Sequence, residues 1–73
     1  LSIDLNIVEG SALGSAPLFR RHVRIAIGSA AESQRLTELA RELEYLPAET
    51  TSRLDRLLDD TLALLHGLMK RLS

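Results

Sequence analysis

Residues 25–46 read IAIGSAAESQRLTELARELEYL, and their spacing decides the fold class. Ile25, Ser29, Glu32, Leu36, Leu39, Leu43 and Leu46 follow alternating steps of four and three. That is the heptad pattern that keeps one seam of a helix turned toward a partner, here with two polar interruptions. A second row of Phe19, Val23, Ala26, Ala30 and Ala40 runs beside it. The helix therefore has a wide apolar face, and the small residues let another helix approach closely. Working back, the pattern begins near Ala16. Pro17 is tolerated in a first turn, where its missing N–H has no partner to lose, and Ser15 is placed to accept a bond from an orphaned backbone donor. Working forward, Pro47 ends one helix and opens the next. The spacing predicts a helix over 16–46.

The pattern resumes as Leu54, Leu58, Thr61, Leu65, Leu68 and Leu72, widened by Leu57, Leu64 and Met69. Glu49 suits the positive end of this second long helix, predicted over 48–72, and Lys70 and Arg71 suit its negative end. The short connection around Pro47 makes the two helices antiparallel, each about 37–46 Å long. Upstream, Ile3, Ile7 and Gly10 lie at helical spacing, so residues 1–9 read as the last turns of a helix, with Gly10 in its left-handed terminating position. Residues 10–17 form a loop with two glycines. The whole of 1–73 is one helical-bundle domain.

Composition agrees with an all-α chain and excludes several functions. Sixteen Leu and eight Ala accompany only two aromatics, Phe19 and Tyr45, among 73 residues, which is poor material for base-stacking platforms. The absence of Cys removes disulfides and thiolate metal sites. A net charge of −1 gives no whole-molecule attraction to nucleic acid or anionic lipid. The apolar runs are too short to span a membrane, and no export signal is visible. A hairpin of two leucine-rich helices leaves much of one face wet, so further helices are expected to cover it.

The run Ser2-Ile3-Asp4-Leu5-Asn6-Ile7-Val8-Glu9-Gly10, then Phe19, then Ile25-Ala26-Ile27-Gly28-Ser29 with Glu32, and finally Glu44-Tyr45-Leu46, resemble the four-helix bundle proteins associated with intervening sequences of bacterial 23S rRNA genes. The resemblance covers essentially the whole chain. It implies an antiparallel up-down four-helix bundle, here lacking its first helix and part of its second. It also implies assembly as a homopentamer, no enzymatic activity, no cofactor, a bacterial cytoplasmic setting and a connection with ribosomal RNA. Two positions depart from the family pattern. Asp4 stands where Pro is usual, and the loop before Phe19, commonly basic, is neutral.

Four groups of residues are candidates for a role. Ser29 and Glu32 interrupt an aliphatic seam, and a buried carboxylate is costly unless paired. With Asn6 and Glu9 from the preceding helix they form a candidate polar core layer that sets register. A carboxylate metal site would need Glu-x-x-His pairs, and neither His22 nor His66 has a Glu three residues earlier. No metal and no catalytic residue is therefore assigned. Arg20, Arg21 and Arg24 make the basic cluster, in a stretch from Gly10 to Ala31 without an acid. It is expected on the outer side of the helix, where RNA is a candidate partner and a solvated helix face or intersubunit ion pairs with the acidic residues are the plainer explanation. Leu36, Leu39, Leu43, Leu58, Leu65 and Leu68 are expected to pack the bundle and the oligomer.

Overall fold

The structure, a computed structural model, describes residues 16–72. The expected helix over 1–9, the loop with Gly10 and Ser15, and the candidate residues Asn6 and Glu9 lie outside the described residues. Two helices, α1 (Ala16–Glu42) and α2 (Ala48–Leu72), pack against each other as an antiparallel hairpin, with no strand among the described residues.

The first helix ends at Glu42, four residues short of the expected Leu46. The backbone shows why. Glu44 takes the left-handed conformation at φ 57°. Its N–H donates to the Arg41 carbonyl at 3.1 Å, and the Tyr45 N–H donates to the Ala40 carbonyl at 3.0 Å. Those two bonds are the Schellman arrangement that satisfies the last carbonyls of a helix. The position usually belongs to glycine, and here a glutamate carries its steric cost. Residues 43–47 then turn the chain. The Pro47 carbonyl accepts the Thr51 N–H at 3.1 Å, which starts α2.

The interior of the hairpin is built from small residues on one side and leucines on the other. Val23, Ala26 and Ala30 of α1 are buried, at 0%, 2% and 8% exposure. Opposite them, Leu54, Leu58, Leu65, Leu68 and Leu72 of α2 are half-buried. Two buried threonines keep their hydroxyls satisfied within their own helix. Thr37 Oγ1 donates to the Ser33 carbonyl at 2.8 Å, and Thr51 Oγ1 donates to the Ala48 carbonyl at 3.0 Å. No buried side-chain polar atom among the described residues lacks a partner.

Three side chains tie the helices at different heights. Near the turn, Arg41 pairs with Asp55 across the hairpin and with Glu38 on its own helix. In the middle, Gln34 Nε2 donates to Asp59 Oδ1 at 2.8 Å. At the open end, an Arg20 guanidinium nitrogen donates to the Leu72 carbonyl at 3.1 Å. Together they set how far one helix slides along the other.

Candidate interaction surface

The row of α1 that meets α2 is the small-residue row, and the heptad seam remains open. Ile25, Leu36, Leu39 and Leu43 are exposed at 55%, 58%, 49% and 49%. On α2, Leu57 and Leu64 are exposed as well. The cause is geometric. A single neighbouring helix covers one stripe, and the stripe of Val23, Ala26 and Ala30 accepts the large leucines of α2 better than a second row of leucines does.

Both open rows lie on one side of the hairpin. At 100° per residue, each row is rotated in the same sense from the row that meets the other helix. Because the helices run antiparallel, equal senses of rotation point to the same side. The result is a two-helix layer with Cα extents of 45 × 23 × 14 Å and exposed apolar side chains from both helices, interrupted by Ser29 and Glu32; exposed apolar surface of this kind marks an interaction surface.

Ser29 and Glu32 sit within this face. Both are exposed in the hairpin. Glu32 accepts from Arg35 Nε at 3.3 Å, and the Ser29 carbonyl accepts from Ser33 Oγ at 3.0 Å. Leu36, Leu39 and Leu43 share that face, whereas Leu58, Leu65 and Leu68 are half-buried beside α1.

The arginine cluster does not act as one unit. Arg20 departs from the expected outward position, because its side chain turns toward the end of α2 and is half-buried there. The free carbonyls and negative dipole end of α2 attract the guanidinium. Arg21 and Arg24 are exposed and have no hydrogen-bond or ion-pair partner among the described residues.

A shallow hollow on α2 is lined by Ala63, Leu64, Leu65, Gly67, Leu68 and Arg71. A Cβ placed on Gly67 would meet nothing within 4 Å, so the missing side chain leaves open space. The spacing Leu64, Gly67, Leu68, Arg71 is that of four residues surrounding one coiled-coil hole. It is legible in the sequence, as are the three interhelical ties once the turn is located. Apolar rows alone do not reveal either, because they do not pair levels across the turn. His22 is half-buried and His66 exposed, and no group of three or more His, Cys, Asp or Glu among the described residues could hold a metal ion. No helix among them is long and apolar enough to cross a membrane.

A family model described as 23S rRNA-intervening sequence protein matches residues 1–67. No curated protein and no solved structure matches the chain.

Proposed function

The chain belongs to the 23S rRNA-intervening sequence protein family, and from that membership and its open face we propose that it is a non-enzymatic helical subunit. It assembles with copies of itself and serves as a scaffold in the bacterial cytoplasm. The observation that carries this reading is the apolar seam of Ile25, Leu36, Leu39 and Leu43, 49–58% exposed. Fully burying one such side chain is worth about 1.5–3 kcal/mol. Several half-exposed ones together supply a drive to associate that a small fold does not forgo. The finer form of the proposal is a four-helix bundle in a homopentameric ring, and its support is the family resemblance. Sedimentation equilibrium of the 73-residue chain tests the reading. A mass that rises with concentration toward a defined assembly is expected, and a single-chain mass throughout the accessible range overturns it.

A second reading, an RNA-binding accessory protein, is favoured by Arg21 and Arg24. They are exposed and unpaired among the described residues, in a stretch without acidic side chains. Arg20 contributes less than expected because Leu72 occupies it. Phosphate contacts release counterions, so RNA retention should fall steeply between about 50 and 200 mM salt. A slope that is the same in the Arg21→Ala, Arg24→Ala double variant removes this reading.

A further inference from the structure

We propose that copies of this chain join head to tail, the turn of one seated on the open end of the next, with Tyr45 of the first filling the hollow over Gly67 of the second. The inference rests on the self-assembly reading above and specifies the contact that builds the assembly.

Charge is segregated along the hairpin. Residues 16–31 and 61–72 hold five cations and no acid, whereas residues 32–60 hold eight carboxylates and four arginines. The chain's net charge of −1 therefore conceals an open end at +5 and a turn-side portion at −4. The Arg20–Leu72 hydrogen bond sets the two helix ends level, so Arg20, Arg21, Arg24, Lys70 and Arg71 fall within about 8 Å along the axis. Two hairpins laid side by side in the same direction would set these basic ends together. Turn against open end joins opposite charges.

The exposed apolar side chains divide in the same way. Ser29 and Glu32 on α1 and Asp60 on α2 interrupt them. Toward the turn lie Leu36, Leu39, Leu43, Leu57 and Tyr45, and toward the open end lie Ile25 and Leu64. Glu42, three residues after Leu39, and Glu44 edge the first patch. Arg21, four residues before Ile25, and Arg71, seven after Leu64, edge the second. All four are exposed, and none of their side chains has a hydrogen-bond or ion-pair partner among the described residues.

Shape agrees with charge. Tyr45, one of two aromatics in the chain, is 76% exposed, and aromatic side chains anchor interfaces by filling pockets. The hollow bounded by Leu64, Gly67, Leu68 and Arg71 offers such a pocket. The missing side chain of Gly67 leaves room for a ring, the leucines give it apolar walls, and the Arg71 guanidinium can lie on its face. Apolar walls with a single cation suit an aromatic ring better than a phosphate.

The two patches complement each other and not themselves, so the contact is heterologous. Each copy gives one turn and receives one. Such a contact repeats until its rotation closes a ring, of an odd or an even number of copies. The hollow lies on the side of α2 and not at its tip, so successive hairpins meet at an angle, as closure requires.

Sedimentation of two variants, apart and mixed, tests the contact. Tyr45→Ser removes the knob, and Gly67→Glu fills the hollow with bulk and with the charge of the facing turn. Neither disturbs the hairpin, since Tyr45 is exposed and a Cβ on Gly67 meets nothing within 4 Å; matching circular dichroism checks this. The parent should sediment as more than two chains. Each variant alone should remain a single chain at about tenfold the concentration that half-assembles the parent. Mixed, each supplies what the other lacks. Pairs of twice 8.1 kDa should form and extend no further, because every pair ends in an empty turn and a filled hollow. Arg71→Glu should weaken assembly about tenfold. A variant that assembles alone as the parent does, a mixture that stays single-chain, an Arg71→Glu chain as strong as the parent, or a parent that stops at two chains overturns the head-to-tail contact and leaves self-assembly standing. A single-chain parent, as when residues 1–15 of the same chain cover the patches, overturns both.

Discussion

Gln34 on α1 and Asp59 on α2 meet through a 2.8 Å hydrogen bond between Nε2 and Oδ1, at a level where Ser29 and Glu32 of one helix and Thr61 of the other are also gathered. The apolar rows of both helices are interrupted at the same height. The bond opposes sliding of one helix along the other, because a shift by one heptad would separate Gln34 from Asp59. Gln34→Leu is expected to lower stability by about 0.5–1 kcal/mol. Equilibrium urea unfolding followed by circular dichroism checks it, and a gain in stability would show that the bond contributes nothing.

Arg41 holds Asp55 and Glu38 together where the chain turns. The pairs are partly exposed, so their contribution is modest and sensitive to salt. Asp55→Asn should cost about 0.5 kcal/mol at low ionic strength. The deficit should shrink in about 1 M salt, where the screening length is near 3 Å. A deficit that is unchanged by salt would point to packing as its origin.

Glu44 occupies the left-handed position that ends α1. Glycine reaches that conformation without the clash between Cβ and carbonyl oxygen. Glu44→Gly is expected to raise stability by about 1 kcal/mol, read as a higher urea midpoint with an unchanged slope. Ala at the same position should give no such gain.

Val23 has no exposed surface in the hairpin. Val23→Ala removes two methyl groups and leaves a void between α1 and α2, a loss of about 2 kcal/mol. For a chain this small, that is a large share of total stability. The variant should therefore melt well below the parent in a thermal scan at matched concentration.

Leu36 is the contrasting case, because its side chain is 58% exposed. Leu36→Gln leaves the hairpin interior untouched. Binding between folded copies makes the melting temperature rise with protein concentration. The parent should show that rise, and the variant should lose most of it while keeping its helical circular dichroism signal. A parent whose melting is independent of concentration would argue against association through this face.

Much of this was legible along the chain. The start of α1 beside Pro17, the start of α2 after Pro47 and the half-buried row from Leu54 to Leu72 match the expected positions. The end of α1 was misjudged, because nothing local marks Glu44 as a left-handed residue. The Leu43-Glu44-Tyr45-Leu46 segment carries apolar residues at helical spacing, and its termination depends on the path the chain must take to bring α2 back. Arg20 was likewise assigned to solvent, since the Leu72 carbonyl that holds it lies 52 residues away in the chain.

Local periodicity was enough to establish two amphipathic helices and their antiparallel order. Apolar spacing, caps and proline act within a few residues of themselves, and a short connection leaves only one direction of return. Tertiary packing alone decided which row of α1 became interior. Both rows are apolar and adjacent, and the choice turned on how alanines and a valine fit against leucines contributed from beyond the turn. That fit is a relation between surfaces brought together by folding, and its consequence is an unpaired leucine seam facing outward.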